Sequence, residues 1–96
     1  MEIKELQKMA SEAIKKRQEK MGVKLDPKLT LVHLTEEIGE IAKEIINEEM
    51  RKEKFNIDNL AEEIADSIND LLMLSTQYNV DLENVIIKKI KEIEKK

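Results

Sequence analysis

The sequence predicts an all-α fold, a four-helix bundle. Three observations carry that expectation. Apolar residues recur at intervals of three and four along four successive segments, no segment alternates with period two, and two Gly and one Pro supply almost the only punctuation in 96 residues. Amphipathic helices joined by short loops bury their apolar stripes against one another.

The first helix is expected over residues 3–21, with Ile3, Leu6, Met9 or Ala10, Ala13 and Ile14 on one face. Gly22 suits its C-terminal cap, because glycine enters the left-handed region without a steric cost. Asp26-Pro27 reads as an N-cap followed by a first-turn proline. From there Leu31, Leu34, Ile38, Ile41 and Ile45 form the stripe of a second helix, which is expected to fade in the polar stretch 48–54. Asp58 is the expected cap of a third helix carrying Leu60, Ile64, Ile68, Leu71 and Leu74 or Ser75. After the connection 77–80, Asp81 caps a fourth, with Leu82, Val85, Ile86, Ile90 and Ile93.

A chain of this length makes one domain, 1–96, and buries only roughly two-thirds of its unfolded surface, so packing against a second copy is expected. Cysteine is absent, which excludes disulfides, thiolate metal sites and a cysteine nucleophile. No apolar run approaches the roughly 20 residues that span a bilayer, and residues 1–5 lack a signal-peptide profile. A cytoplasmic protein without a membrane partner is expected. The 17 basic and 21 acidic residues give a net charge of −4, which argues against nucleic acid as a partner.

The acidic residues sort by helix face. With about 100° per residue, Glu37 falls about 60° and Glu40 about 120° to one side of Leu34. On the third helix Glu63, Asp66 and Asp70 lie roughly 90–150° to one side of the apolar stripe. Glu37-x-x-Glu40 and Glu63-x-x-Asp66 each place like charges side by side, which costs a few tenths of a kcal/mol when exposed and more when buried. On antiparallel neighbours the four carboxylates converge and need protons or divalent cations. Oxygen ligands alone suit Mg²⁺, with Mn²⁺ as a substitute, better than zinc. The same spacing also arises in a solvated face of a chain that is 40% charged. Periodicity leaves both readings open.

Leu34-Thr35-Glu36-Glu37-Ile38-Gly39-Glu40-Ile41-Ala42, followed by Ala61-Glu62-Glu63-Ile64-Ala65-Asp66, resembles the all-α nucleotide pyrophosphohydrolases of the MazG-like kind. Their signature is E-x-x-E on one helix and E-x-x-D on the next. Leu6-Gln7 resembles the family's first-helix motif, and Val80-Asp81-Leu82 the start of its last helix. The resemblance implies hydrolysis of a nucleoside triphosphate, NTP or dNTP, to monophosphate and pyrophosphate. By it Glu37, Glu40, Glu63 and Asp66 hold Mg²⁺, with Glu36 a further ligand or the base that orients water. It also implies a homodimer or homotetramer, and phosphate-binding lysines on the last helix, where Lys88, Lys89 and Lys91 stand without the family's Asn and Arg. Asn69 is a candidate for a base edge. Asp70 either extends the metal cluster or pairs with a Lys of a neighbouring helix. Phe55 and Tyr78 are the only rings available to stack on a base. His33, unaccompanied by an E-x-x-H motif, reads as structural.

Three alternatives frame this. Phosphoribosyl-ATP pyrophosphohydrolase shares Glu63-Ile64-Ala65-Asp66, but its following Tyr-His is Asn69-Asp70 here. A di-iron bundle wants two E-x-x-H motifs, against a single His. A non-catalytic helical dimerisation module predicts no dependence on divalent cations.

Overall fold

The computed structural model describes residues 2–23 and 26–95, so the chain ends Met1 and Lys96 lie outside it. These residues form four α-helices: α1 (Ile3–Lys20), α2 (Pro27–Met50), α3 (Ile57–Gln77) and α4 (Leu82–Glu94). A one-turn 3₁₀ helix, Lys52–Lys54, joins α2 to α3. Among the described residues there is no strand, and no helix is long and apolar enough to cross a membrane.

Each helix end has a local cause. Gly22 takes φ 69°, and the Val23 N–H donates to Gln18 O at 2.9 Å while Gly22 N–H donates to Glu19 O at 3.1 Å. This is the Schellman pair of hydrogen bonds that satisfies orphaned carbonyls at a helix C-terminus. Asn79 does the same after α3, with φ 57° and Val80 N–H donating to Ser75 O at 2.8 Å. Asparagine is one of the few side chains that tolerates this region. Asp26 caps α2 by accepting from Lys28 N–H at 2.7 Å, and Asp81 caps α4. At α3 the cap differs from expectation. Asn56, not Asp58, accepts from the Asp58 and Asn59 N–H groups at 2.9 and 3.1 Å, because α3 begins at Ile57 and Asp58 falls in its first turn.

The packing corrects the expected apolar core. α2 and α3 form an antiparallel hairpin, α1 packs on α3, and α4 touches chiefly α1. The α2–α3 seam is mostly polar: Thr30, Glu44, Asn47, Ser67 and Asp70 are buried there, together with Leu34. Among the described residues, Leu72 and Met73 are the other buried apolar ones. The stripe expected to form the core is instead open to solvent at Leu31, Ile38 and Ile45 of α2 and at Ile64, Ile68 and Leu71 of α3. The reason lies in the seam positions: 30, 34, 37, 41 and 44 on α2, and 63, 67, 70, 74 and 77 on α3, follow the 3–4 spacing of a helix contact. These exposed residues stand about 60–140° off that line in the same rotational sense on both helices. In an antiparallel pair that places both stripes on one side of the hairpin. The Cα radius of gyration, 15.7 Å, exceeds the roughly 12–13 Å of a compact chain of this length. The single subunit is therefore an open arrangement with one apolar side uncovered.

Gln7 ties the open pieces together. It is buried, and its Nε2 donates to Ser75 Oγ at 2.8 Å and to Val80 O at 3.0 Å. One side chain thus fixes α1 against the end of α3 and the turn into α4.

Candidate functional site

The antiparallel hairpin runs the two acidic motifs in opposite directions, so Glu37 comes to the level of Asp66 and Glu40 to that of Glu63. Two cavities follow from this pairing. One, of about 440 Å³, contains Glu37 and Asp66 and is walled by α1. The other, of about 700 Å³, contains Glu40 and Glu63 and lies toward the α2–α3 connection.

Glu63 carries the main electrostatic tension. Its Oε2 is buried with no hydrogen-bond partner. Desolvation raises its carboxyl above the ordinary carboxylate range, Glu44, Glu40 and Glu37 push it further, and Lys43 opposes them. A buried acceptor without a donor is costly, and a carboxylate more so. The oxygen-only donor set and this orphaned oxygen fit a hard divalent cation. Among the described residues, no three His, Asp or Glu side chains are gathered to coordination distance. Glu37 is turned toward His33, its Oε1 3.6 Å from Nε2, so ligation requires these side chains to swing together.

His33 and Asp70 form the best-defined polar pair in the site. His33 Nδ1 lies 2.6 Å from Asp70 Oδ2, and Asp70 is only 6% exposed. The hydrogen bond to Asp70 raises the His33 pKa above 6.5, desolvation lowers it, and the charges of Asp70, Glu37 and Glu36 raise it again. The pair's contribution to stability is therefore complete below about pH 6.5 and is lost as pH rises through the raised value. An NMR titration should place His33 above 6.5, and Asp70→Asn should bring it back down. An unshifted His33 in the parent would contradict the pairing.

The other expected site residues are dispersed. Asp66 and Asn69 line the α1-walled cavity, and Glu36 is exposed outside both cavities. Asp70 has His33 as its partner, rather than a lysine. Lys88, Lys89 and Lys91 sit on exposed positions of α4 outside both cavities, with Lys89 paired to Glu92 at 3.3 Å. Phe55 and Tyr78 line neither cavity; Tyr78 sits over an apolar groove with Ile3 and Leu6.

The structure also brings in residues that periodicity does not single out. Arg17 and Gln18 of α1 meet Ile14, Met21, Val23 and Leu29 in the first cavity, and Gln18 Oε1 is buried without a partner. Lys43, Arg51 and Lys54 line the second. The available signal was the charged stretch 51–54, about three helical turns beyond Glu40, which reads on its own as solvated linker.

The family model described as MazG nucleotide pyrophosphohydrolase domain matches residues 25–96. Helix α1, which walls the first cavity, lies outside that match. No curated protein and no solved structure matches the chain.

Proposed function

Because the chain belongs to the MazG nucleotide pyrophosphohydrolase family, we propose that it hydrolyses nucleoside triphosphates, NTP or dNTP, at the α–β phosphoanhydride, using Mg²⁺ or Mn²⁺. The observation that carries this reading is the Glu63 carboxylate, partly buried, lacking a partner and facing Glu40, Glu44 and Glu37 across the α2–α3 seam. Glu37, Glu40, Glu63 and Asp66 would hold the cation. Its chemistry there is to neutralise triphosphate oxygens and to activate water for in-line attack.

The chain's own residues supply the rest. The nucleoside enters the cavity walled by Ile14, Met21, Val23 and Leu29, whose apolar sides suit a base and whose Asn69 and Gln18 offer hydrogen bonds to its edge. Glu36 or a neighbouring carboxylate orients the attacking water and takes its proton. Water oxygen bonds to the α-phosphorus, the bond from that phosphorus to the bridging oxygen breaks, and pyrophosphate leaves with the electron pair. Asp70 positions His33, whose ring stands beside Glu37. A cytoplasmic location, where these substrates are made and used, belongs to the same proposal.

The exposed isoleucines of α2 and α3 support a second part of the proposal, a homodimer built on that side of the hairpin. It leaves the acidic side accessible. Two such dimers pairing would give a tetramer.

The assay is direct. The protein is incubated with each NTP and dNTP and Mg²⁺, and released pyrophosphate is measured. At least one nucleotide should yield pyrophosphate and monophosphate in equal amounts. No release from any of them, or orthophosphate alone, would overturn the assignment.

A further inference from the structure

Lys43 on α2, Arg51 at its end and Lys54 in the 3₁₀ turn line the 700 Å³ cavity that also contains Glu40 and Glu63. Among the described residues none of the three is in an ion pair. We infer that this basic cavity seats the β- and γ-phosphates of the substrate, and then the released pyrophosphate, in place of the lysines of α4. The inference rests on the pyrophosphohydrolase reading and names the residues that grip its polyphosphate.

The connection that carries these cations is fixed rather than loose. Glu44 is buried and accepts a hydrogen bond from Asn56 N–H at 2.8 Å, which pins the start of α3 to α2. Asn47, also buried, accepts from Arg51 Nη1 at 3.3 Å. Arg51 thus spends part of its donor fork on orientation and keeps the remainder for a ligand, the geometry in which arginine binds phosphate well. Glu44 also lines the cavity and keeps its charge, with one oxygen held by the Asn56 N–H, and Glu40 and Glu63 are the other two acids there. Those two belong to the proposed cation site, and once they are neutralised the remaining charge of the cavity is positive.

The arrangement also gives the substrate a direction. Glu37 and Asp66 border the apolar cavity beside α1, and Glu40 and Glu63 border the basic one. A triphosphate laid along the seam has its base at the α1 end, its α-phosphate at the four carboxylates and its tail at residues 51–54. Lys88, Lys89 and Lys91 of α4 line neither cavity.

Inorganic tripolyphosphate, titrated calorimetrically into the full chain with Mg²⁺ present, tests this without requiring turnover. Arg51→Gln with Lys54→Gln should weaken its binding by about tenfold or more, the size expected for losing charged hydrogen bonds. The same pair should weaken product inhibition by pyrophosphate in parallel. Lys43→Gln with Lys54→Gln, which leaves the Asn47–Arg51 contact intact, should also weaken binding, guarding against a folding defect. Lys88→Gln with Lys89→Gln should stay within about twofold of the parent. The inference is overturned if the parent does not bind tripolyphosphate, if either cavity variant binds within about twofold of it, or if the α4 variant is the one that loses binding. Nucleotide hydrolysis by the parent is measured separately, so failure of the proposed reaction and failure of the phosphate seat give different results.

Discussion

Glu63→Gln should cut pyrophosphate release by at least about a hundredfold and, at the same time, raise the melting temperature of the metal-free protein. The first effect follows from the role proposed for Glu63: outer-shell partners of a metal site already cost 10–100-fold when removed, and a ligand costs more. The second follows from the same carboxylate's surroundings. Its pKa is raised in the folded state, by desolvation first and then by Glu44, Glu40 and Glu37. A carboxyl raised in this way destabilises the fold once ionised. That penalty is absent below the unfolded value near 4.5 and grows as pH rises through the folded value. At neutral pH the uncharged isostere escapes it, and its amide can donate to a neighbouring acid. Millimolar Mg²⁺ should stabilise the parent by binding the folded state, and should do so less in Glu63→Gln. Glu49→Gln, on an exposed site outside both cavities, is the control. Activity retained within threefold in Glu63→Gln would remove this residue from the site.

Ile38→Asp combined with Ile64→Asp should dissociate the protein and abolish its cooperative melting. These residues are 54% and 43% exposed in the single chain, so within one subunit their replacement by acid should cost little. In a dimer built on this side of the hairpin each would be buried, and each buried isoleucine is worth about 1.5–3 kcal/mol. Twofold symmetry counts every substitution twice. With Leu34, Leu72 and Met73 as the buried apolar residues among those described, the chain has little core with which to absorb such a loss. Sedimentation at micromolar concentration should show the parent as a multiple of the 11.2 kDa chain, and the double variant as a monomer that is partly unfolded. A parent that sediments as a single chain, or a variant that assembles and melts like the parent, would eliminate this interface.

Local chemistry was legible from residue order because it acts over a few residues. Asp26-Pro27, Gly22 and Asp81 mark helix ends through hydrogen bonds that close within one turn. The shift of the α3 cap from Asp58 to Asn56 is small but instructive. Either residue can cap, and the buried Glu44 holding the Asn56 N–H favours the earlier start. That is a contact across 12 positions, beyond the reach of a periodicity argument.

The candidate site divides in the same way. Glu37, Glu40, Glu63 and Asp66 stand out because E-x-x-E and E-x-x-D are spaced for one helix face, and the family match over residues 25–96 agrees with what those motifs resemble. Asp70 could be noticed from sequence but not paired, since His33 lies 37 residues away. Arg51 and Lys54 resembled linker charge until the turn Lys52–Lys54 placed them beside Glu40 and Glu63.

Sequence alone determined that this chain is helical, most of its helix ends, and which two motifs carry its acids. Tertiary structure decided which helix face turns inward. Periodicity reports that a helix has an apolar side and a polar flank, but the choice of contact belongs to the partner helix. Here α2 and α3 meet along Thr30, Glu44, Ser67 and Asp70. That choice puts Glu37, Glu44, Glu63 and Asp70 into the seam and leaves Ile38, Ile45, Ile64 and Ile68 exposed. Of the acids inside the subunit, Asp70 has His33, Glu44 has the Asn56 N–H, and Glu63 opens onto the second cavity with one oxygen unpartnered.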